Sequence, residues 1–391
     1  MSTLKIENVR AVLSDRVTPP TSVIITDNII TEIGAENTPA DMVINAEEGY
    51  LFPGFIDLHV HGGGGADFMD ATVEAFEKAV KTHIKTGTTT LIPTAMTATH
   101  EELCAFITAY KQFKEKSPYA QYTAGLHLEG PYLSGADKKS AGAQSGDLIR
   151  PIDFDEVNRL LTLAEGSIIR WDAAPENENS VEFARLLKEN NILCAAAHSN
   201  ATGYEAEAGF NGGFSHVTHF YNAVTAYKKR DQVVTAGVVE AAYLNDDVTV
   251  ELICDGKHIP EHCMKLALKI KGADKVMGIT DATALAGTNE VEGILGSKAN
   301  GIRVIVEDGV AKLPDRSSFA GSICTMERAL KVVCTTYGID PVTAAKMLST
   351  TPAKHIKAEK IGEIKKGYIA DLVITDSKFT VKTTIKNGKT V

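Results

Sequence analysis

The feature that most constrains this chain is a series of eight short apolar segments that alternate with helix-like stretches. The segments are FIDLH (55–59), TTTLIPTAM (88–96), YTAGLHL (122–128), SIIRWDA (167–173), ILCAAA (192–197), FSHVT (214–218), VTVELIC (248–254) and KVMGIT (275–280). Between several of them lie amphipathic runs such as ATVEAFEKAVKTHIKTG (71–87), with helical apolar spacing and a closing glycine. Eight strands alternating with helices predict a (β/α)8 TIM barrel. Residues 301–313 (GIRVIVEDGVAKL) read as a hairpin inserted after the eighth strand, and helices over 323–350 close the barrel.

The two ends differ from the middle. LKIENVRAVL, TSVIITDN and IITEIG near the N-terminus, and ADLVITD and TVKTTIKNGKTV near the C-terminus, are rich in Val, Ile and Thr with Asp-Asn and Asn-Gly turn signals. Neither end is long enough to bury a sheet face alone. They are expected to pack together as one small β-sandwich over residues 1–50 and 362–391, flanking a barrel domain over 51–361.

Composition removes whole classes of function. A chain that is 44% hydrophobic and 23% charged has ample core and is neither disordered nor coiled coil. Forty Lys and Arg against 50 Asp and Glu give a net charge of −10, the opposite of a nucleic-acid binder's footprint. The start, MSTLKIENVR, has no apolar core of a signal peptide, and no run is long enough for a membrane span. The six cysteines contain no C-x-x-C pair and read as thiols of a reduced compartment. A cytoplasmic protein is expected.

In a barrel, catalytic groups sit where strands end and βα loops begin. His59 and His61 end strand one, Glu129 follows strand three, His198 follows strand five, His219 follows strand six, and Asp281 follows strand eight. Period 2 on an extended segment puts His59 and His61 on one side of the backbone, where both can bite one ion. An Asp from the neighbouring eighth strand closes the ring beside them. Glu129 can give one oxygen to each of two ions, with His198 and His219 holding the second. Nitrogen and carboxylate donors without thiolate suit one or two divalent ions among Zn, Fe, Mn and Ni. Any one of these residues alone reads as an ordinary core or surface group; together, at one face of one barrel, they do not. His83, His100, His262 and His355 fall in helical or polar contexts, and His127 and His216 read as structural.

Read together, PGFIDLHVHG (53–62), GLHLEGPYL (125–133), AAHSNAT (196–202), VTHFYNAV (217–224), DGKHI (255–259), GITDATALAG (278–287) and FAGSICTM (319–326) resemble the N-acetylglucosamine-6-phosphate deacetylase family of the amidohydrolase superfamily. The resemblance implies metal-dependent hydrolysis of N-acetylglucosamine 6-phosphate to glucosamine 6-phosphate and acetate. It makes Glu129, His198 and His219 the core metal ligands, and matches His59 and His61 to members with a second metal. Asp281 is implied as a ligand and as the catalytic acid and base. Substrate contacts fall on Ala143, Gln144, Asn222, Ala223, Arg230 and His258, and on the backbone around Phe319, Ala320 and Gly321. Arg230 is supplied across a dimer interface in the family, so a homodimer is implied.

Two stretches depart from the family. After LEGPYL the family reads K-G-A-H or similar, whereas SAGAQ (140–144) puts Gln144 where a histidine helps hold substrate. NAVTAYKKRDQVV also departs from the usual Pro-containing pattern. Both bear on sugar identity rather than on the chemistry. The alternatives are a deacetylase of N-acetylgalactosamine 6-phosphate, another amidase of the superfamily such as a D-aminoacylase or cyclic amidase, and a non-catalytic binding descendant. The phosphate-side motifs disfavour the second amidase, and the complete ligand set disfavours the binding protein.

Overall fold

A computed structural model describes residues 2–135, 138–230 and 232–391, with Lys138, Lys139 and Arg230 described in their backbone alone. All eight expected barrel strands are present, at Phe55–Val60, Thr88–Ala95, Leu126–Leu128, Ile168–Ala173, Leu193–Ala196, His216–Val217, Thr249–Ile253 and Val276–Ile279. They pair in parallel in that order. Strand eight returns to strand one, where the Asp281 N–H donates to the His59 carbonyl at 3.0 Å and Ala282 bridges Val60. Strands one and two are buried at every position, as a parallel sheet covered on both faces requires. The third strand is shorter than the apolar run that begins at 122, because Pro118–Tyr122 forms a 3₁₀ turn.

Helices begin where the sequence supplies caps. Thr72 accepts from the Ala75 N–H ahead of Val73–Ile84, and Thr99 and Glu102 form a reciprocal capping box on His100–Lys116. After strand eight the insertion is larger than the hairpin expected at 301–313. Glu292–Leu295 joins Ile302–Glu307 and Val310–Lys312 in a three-stranded antiparallel sheet. Gly293 conceals this extra strand, breaking its apolar pattern where a Cβ would meet the Leu285 side chain at 2.9 Å. Helical segments between Met326 and His355 then close the barrel.

The ends meet as expected. Leu372–Thr375 pairs antiparallel with Tyr50–Pro53, which lies beside Thr3–Ala11. The first strand runs in two sheet directions because Asn8, at φ 52°, sits in a register break between Ile6 and Val9. The strand pairs with Thr21–Thr26 on both sides of the break, with Met42–Asn45 through Leu4 to Glu7, and with Tyr50–Pro53 through Arg10 and Ala11. Leu4, Ile6, Val23, Ile25 and Leu51 share one core with Leu372, Ile374 and Ile385 from the other terminus. Among the described residues no helix is long and apolar enough to cross a membrane. All six cysteines are free, with Cys194, Cys254 and Cys324 buried and the others partly so.

Candidate metal centre and active site

The strand ends bring the predicted side chains together. His59, His61 and Glu129 form one group, and Glu129, His198 and His219 another, each with ligand atoms within 4.8 Å of one another and every residue buried. Glu129 belongs to both. Its Oε1 lies 2.9 Å from the Nε2 atoms of both His198 and His219. Its Oε2 lies 3.3 Å from His61 Nε2 and 3.6 Å from His59 Nε2. Asp281 Oδ1 is 3.2 Å from His61 Nε2 and 3.5 Å from His59 Nε2.

Tautomers decide what this arrangement can hold. His198 Nδ1–H donates to the Ser140 carbonyl at 2.8 Å, and His219 Nδ1–H to the Asn222 carbonyl at 3.1 Å. In its metal-binding form each ring therefore presents an Nε2 lone pair to the site. Those two nitrogens are 3.1 Å apart and both face a carboxylate oxygen. Three acceptors at such range repel one another unless a cation lies among them. His59 is aimed the same way: its Nδ1–H donates to Glu251 Oε1 at 3.0 Å, which turns Nε2 toward the site, 3.1 Å from His61 Nε2. Carbonyl and carboxylate partners behind ligating imidazoles are the usual means of aiming them. The residues present fit divalent ions bound through nitrogen and oxygen.

The local field agrees. Burial alone would push the His59 and His61 imidazoles down, but Glu129 and Asp281 override it, holding His59 well above its ordinary value and His61 at about 9. Burial would raise Glu129, yet His59, His198 and His219 keep it well below the usual carboxylate range. Asp281 is likewise lowered, against its burial, by His59 and His61. The carboxylates thus draw positive charge into the site.

The backbone here is strained. His198, His219, Tyr221, Ala223 and Asp281 all have positive φ, between 30° and 78°; non-glycine residues hold such angles only when the surroundings enforce them. Gly321, at φ 61°, packs so closely that a Cβ would lie 2.9 Å from the Asp281 carbonyl.

A cavity opens from these groups. It is lined by His61, Glu129, His198, His219 and Asp281 and also by Ala143, Gln144, Asn222, Ala223, His258, Phe319 and Gly321, all expected at the site. His258 is held by Asp255, with Nδ1 and Oδ2 2.9 Å apart, and its ring lies 4.8 Å from that of Phe319. Among the described residues the Asn222 Nδ2 is buried without a partner, a donor left for a ligand. Ala320 is buried behind the cavity wall. The backbone of Arg230 pairs with Val233 in a surface hairpin, and its side chain lies outside the described residues. Gln144 lines the cavity but has both ends of its amide engaged by the protein, at Thr97 and Glu129.

Sequence reasoning missed Met96 and Leu295, which form an apolar wall of this cavity, and Ser318 and Ile253 beside them. Leu295 was hidden with its unrecognised strand. It also missed the charged layer inside the barrel. Arg170 donates to Asp172 at 3.0 Å, to Glu251 at 2.6 and 2.8 Å and to Thr218 at 2.6 Å, with all three charged residues at most 2% exposed. The signal was available: a lone charge inside an apolar strand needs a buried partner.

The fold, the shared carboxylate and the imidazoles at the strand ends define a metal-dependent hydrolase of the TIM-barrel type. The chain belongs to the amidohydrolase family, whose sequence profile matches residues 50–391. It is similar to the N-acetylglucosamine-6-phosphate deacetylase of Lysinibacillus sphaericus, at 34% identity over 87% of this chain and 85% of that protein. It is also similar to the N-acetylgalactosamine-6-phosphate deacetylase of Shewanella sp. (strain ANA-3), at 30% identity over 90% and 86%. The crystal structure of N-acetylglucosamine-6-phosphate deacetylase from Pasteurella multocida superposes with a TM-score of 0.90 at 29% identity, covering 100% of this chain and 99% of that one.

Proposed function

We propose that the protein hydrolyses the acetamide of N-acetyl-D-glucosamine 6-phosphate, giving D-glucosamine 6-phosphate and acetate. The observation that carries this reading is Glu129 shared between two histidine pairs, with Asp281 at hydrogen-bond range of the His61 ring. A relative named for the same deacetylation, 34% identical over most of its length, supports the substrate. His59, His61, Glu129, His198, His219 and Asp281 would hold one or two divalent ions drawn from Zn, Fe, Mn and Ni. The chemistry supplied by a bound ion would be Lewis acidity toward the amide carbonyl and toward water.

The chain's own groups do the rest. Asp281, kept ionised at neutral pH, accepts the proton of the attacking water and returns it to the departing amine, a double duty that one carboxylate at the reacting carbon can perform. The backbone carbonyls behind His198 and His219 keep those rings aimed. Asn222, Ala223 and His258 contact the sugar phosphate, while Ala143 and the Phe319–Gly321 backbone shape its pocket. In a homodimer, Arg230 reaches the neighbouring subunit's site, where its guanidinium fork suits a phosphate. The reaction belongs to amino-sugar breakdown in the cytoplasm.

Acetate release by metal-loaded protein tests this, with the unphosphorylated sugar and the N-acetylgalactosamine 6-phosphate epimer run in parallel. Rapid turnover of N-acetylglucosamine 6-phosphate alone is expected. Turnover of the epimer alone would transfer the substrate assignment to it. No turnover of any of the three by the metal-bound protein would reject the deacetylase reading.

A further inference from the structure

Segment 140–144 wraps the metal groups and touches both. The Ser140 carbonyl receives the His198 Nδ1–H, and Gln144 reaches Glu129. The Gln144 amide orientation is unambiguous. The Thr97 backbone N–H donates to Gln144 Oε1 at 2.9 Å, so that atom must be the carbonyl oxygen. Nε2 therefore points the other way and donates to Glu129 Oε2 at 2.9 Å, with the Met96 sulfur 3.7 Å from it. Gln144 is 6% exposed, and its amide spans from the end of barrel strand two to the carboxylate that follows strand three.

Consider what fixes the Glu129 carboxylate. Its Oε1 lies between the Nε2 atoms of His198 and His219, 2.9 Å from each. Its Oε2 faces His61 and His59 Nε2 at 3.3 and 3.6 Å, and among the described residues the shortest contact from a donor on that side is the Gln144 amide, at 2.9 Å. A terminal carboxylate torsion is broad, so this contact sets the plane of the group. We infer that Gln144 is a positioning residue for Glu129: it holds Oε2 toward His59 and His61 and so governs how tightly that pair retains its ion. The inference rests on the proposed deacetylase site in taking a divalent ion as the occupant. It differs from a substrate contact, which would leave metal binding untouched.

The test is metal affinity, read without turnover. Metal-free wild type, Gln144→Leu and Gln144→His are titrated with Zn²⁺ against a chromophoric chelator, with circular dichroism and thermal melting as fold controls. Wild type should bind two ions. Gln144→Leu, similar in volume but without a donor, should weaken one of them about 10–100-fold, the usual cost of removing a partner behind a ligand, and leave the other unchanged. Gln144→His, whose N–H can donate to Glu129, should recover most of that loss. If the Leu variant does not fold, Gln144→Asn, too short to span Thr97 and Glu129, should show the same selective weakening. Unaltered affinity for both ions with a raised KM would overturn the inference and make Gln144 a substrate contact only. A wild type that takes up a single ion would overturn it as well. Wild type that binds two ions, shows the selective Gln144 effect and yet releases no acetate would reject the deacetylase reading alone.

Discussion

The interior of this barrel carries two layers of ionisable groups, and they are built on opposite rules. At the mouth, His59, His61, His198, His219, Glu129 and Asp281 turn acceptors toward one another. One layer further toward the strands' N-terminal ends, Arg170 supplies the positive charge that its neighbours need. Asp172 and Glu251 flank its guanidinium, His127 Nε2 lies 2.9 Å from Asp172, and His216 Nε2–H donates to Glu251 at 3.2 Å. Glu251 also holds His59, so the layers are joined through one carboxylate. The lower layer carries its own permanent cation, one guanidinium set between two carboxylates, and the upper layer leaves that role to an ion. A buried cluster of carboxylates without its own cation is a binding site; one with its own arginine is a scaffold.

That distinction can be broken at either layer. The largest effect is expected from Asp281→Asn at the mouth. Acetate release should fall about 10²–10⁴-fold, the range for a lost general acid–base, while the Glu129, His198 and His219 group still binds its ion. A variant keeping more than a tenth of wild-type turnover would strip Asp281 of its role. In the lower layer, Arg170→Met should act on stability rather than chemistry. It leaves Asp172 and Glu251 buried without their cation, which costs about 3–5 kcal/mol in comparable cases. Urea unfolding measures it, and a loss below about 1 kcal/mol would mean that the two layers are not different in kind.

Metal removal sharpens the comparison further. Adding back ion at a hundredfold excess over its Kd should raise unfolding free energy by about 2.7 kcal/mol, since binding favours the folded state alone. Glu129→Gln, which damages both ligand groups at once, should abolish that gain and its metal content together. Arg170→Met should keep the gain even though it starts from a lower stability. A metal-dependent gain that survives in Glu129→Gln would refute the ligand set.

How legible each layer was in the sequence follows from the same contrast. The mouth was readable because barrel geometry fixes where strand ends go, so His59, Glu129, His198, His219 and Asp281 could be placed on one face without knowing any contact. The FIDLHVH register even gave the side of the strand. The lower layer depends on which charge meets which across strands four, six and seven, and Arg170, Asp172 and Glu251 each appear in sequence as one polar residue among apolar ones. Gln144 shows the limit at finer scale. Its position beside the site was legible, but which end of its amide faces Glu129 is decided by the Thr97 N–H, in the loop after strand two. The strand Glu292–Leu295 was missed for a local reason, a glycine where the alternation needs a side chain.

The smallest effect lies at the foot of the lower layer, where His355 sits beneath Thr249. His216 Nε2–H is committed to Glu251, so its Nδ1 accepts the Thr249 hydroxyl proton, at 2.8 Å. His355 Nδ1–H is then left to donate to that hydroxyl oxygen, at 3.4 Å, and its Nε2 is buried without a partner among the described residues. Burial, with His216 and Arg170 nearby, holds the His355 imidazole well below its ordinary value. The unfolded chain regains an ordinary histidine near pH 6.5, so between the two values it binds more protons than the folded protein. Stability from this residue is therefore present above pH 6.5 and lost as pH falls below it. For one such histidine the loss between pH 7.5 and 5.5 is at most about 1.4 kcal/mol. His355→Gln removes the titration, so the difference in pH slope between variant and wild type, measured by urea unfolding, isolates it from the mouth. A parallel pair of pH profiles would show that His355 is free to protonate in place, and that the lower layer, at its edge, is open to the same protons as the upper one.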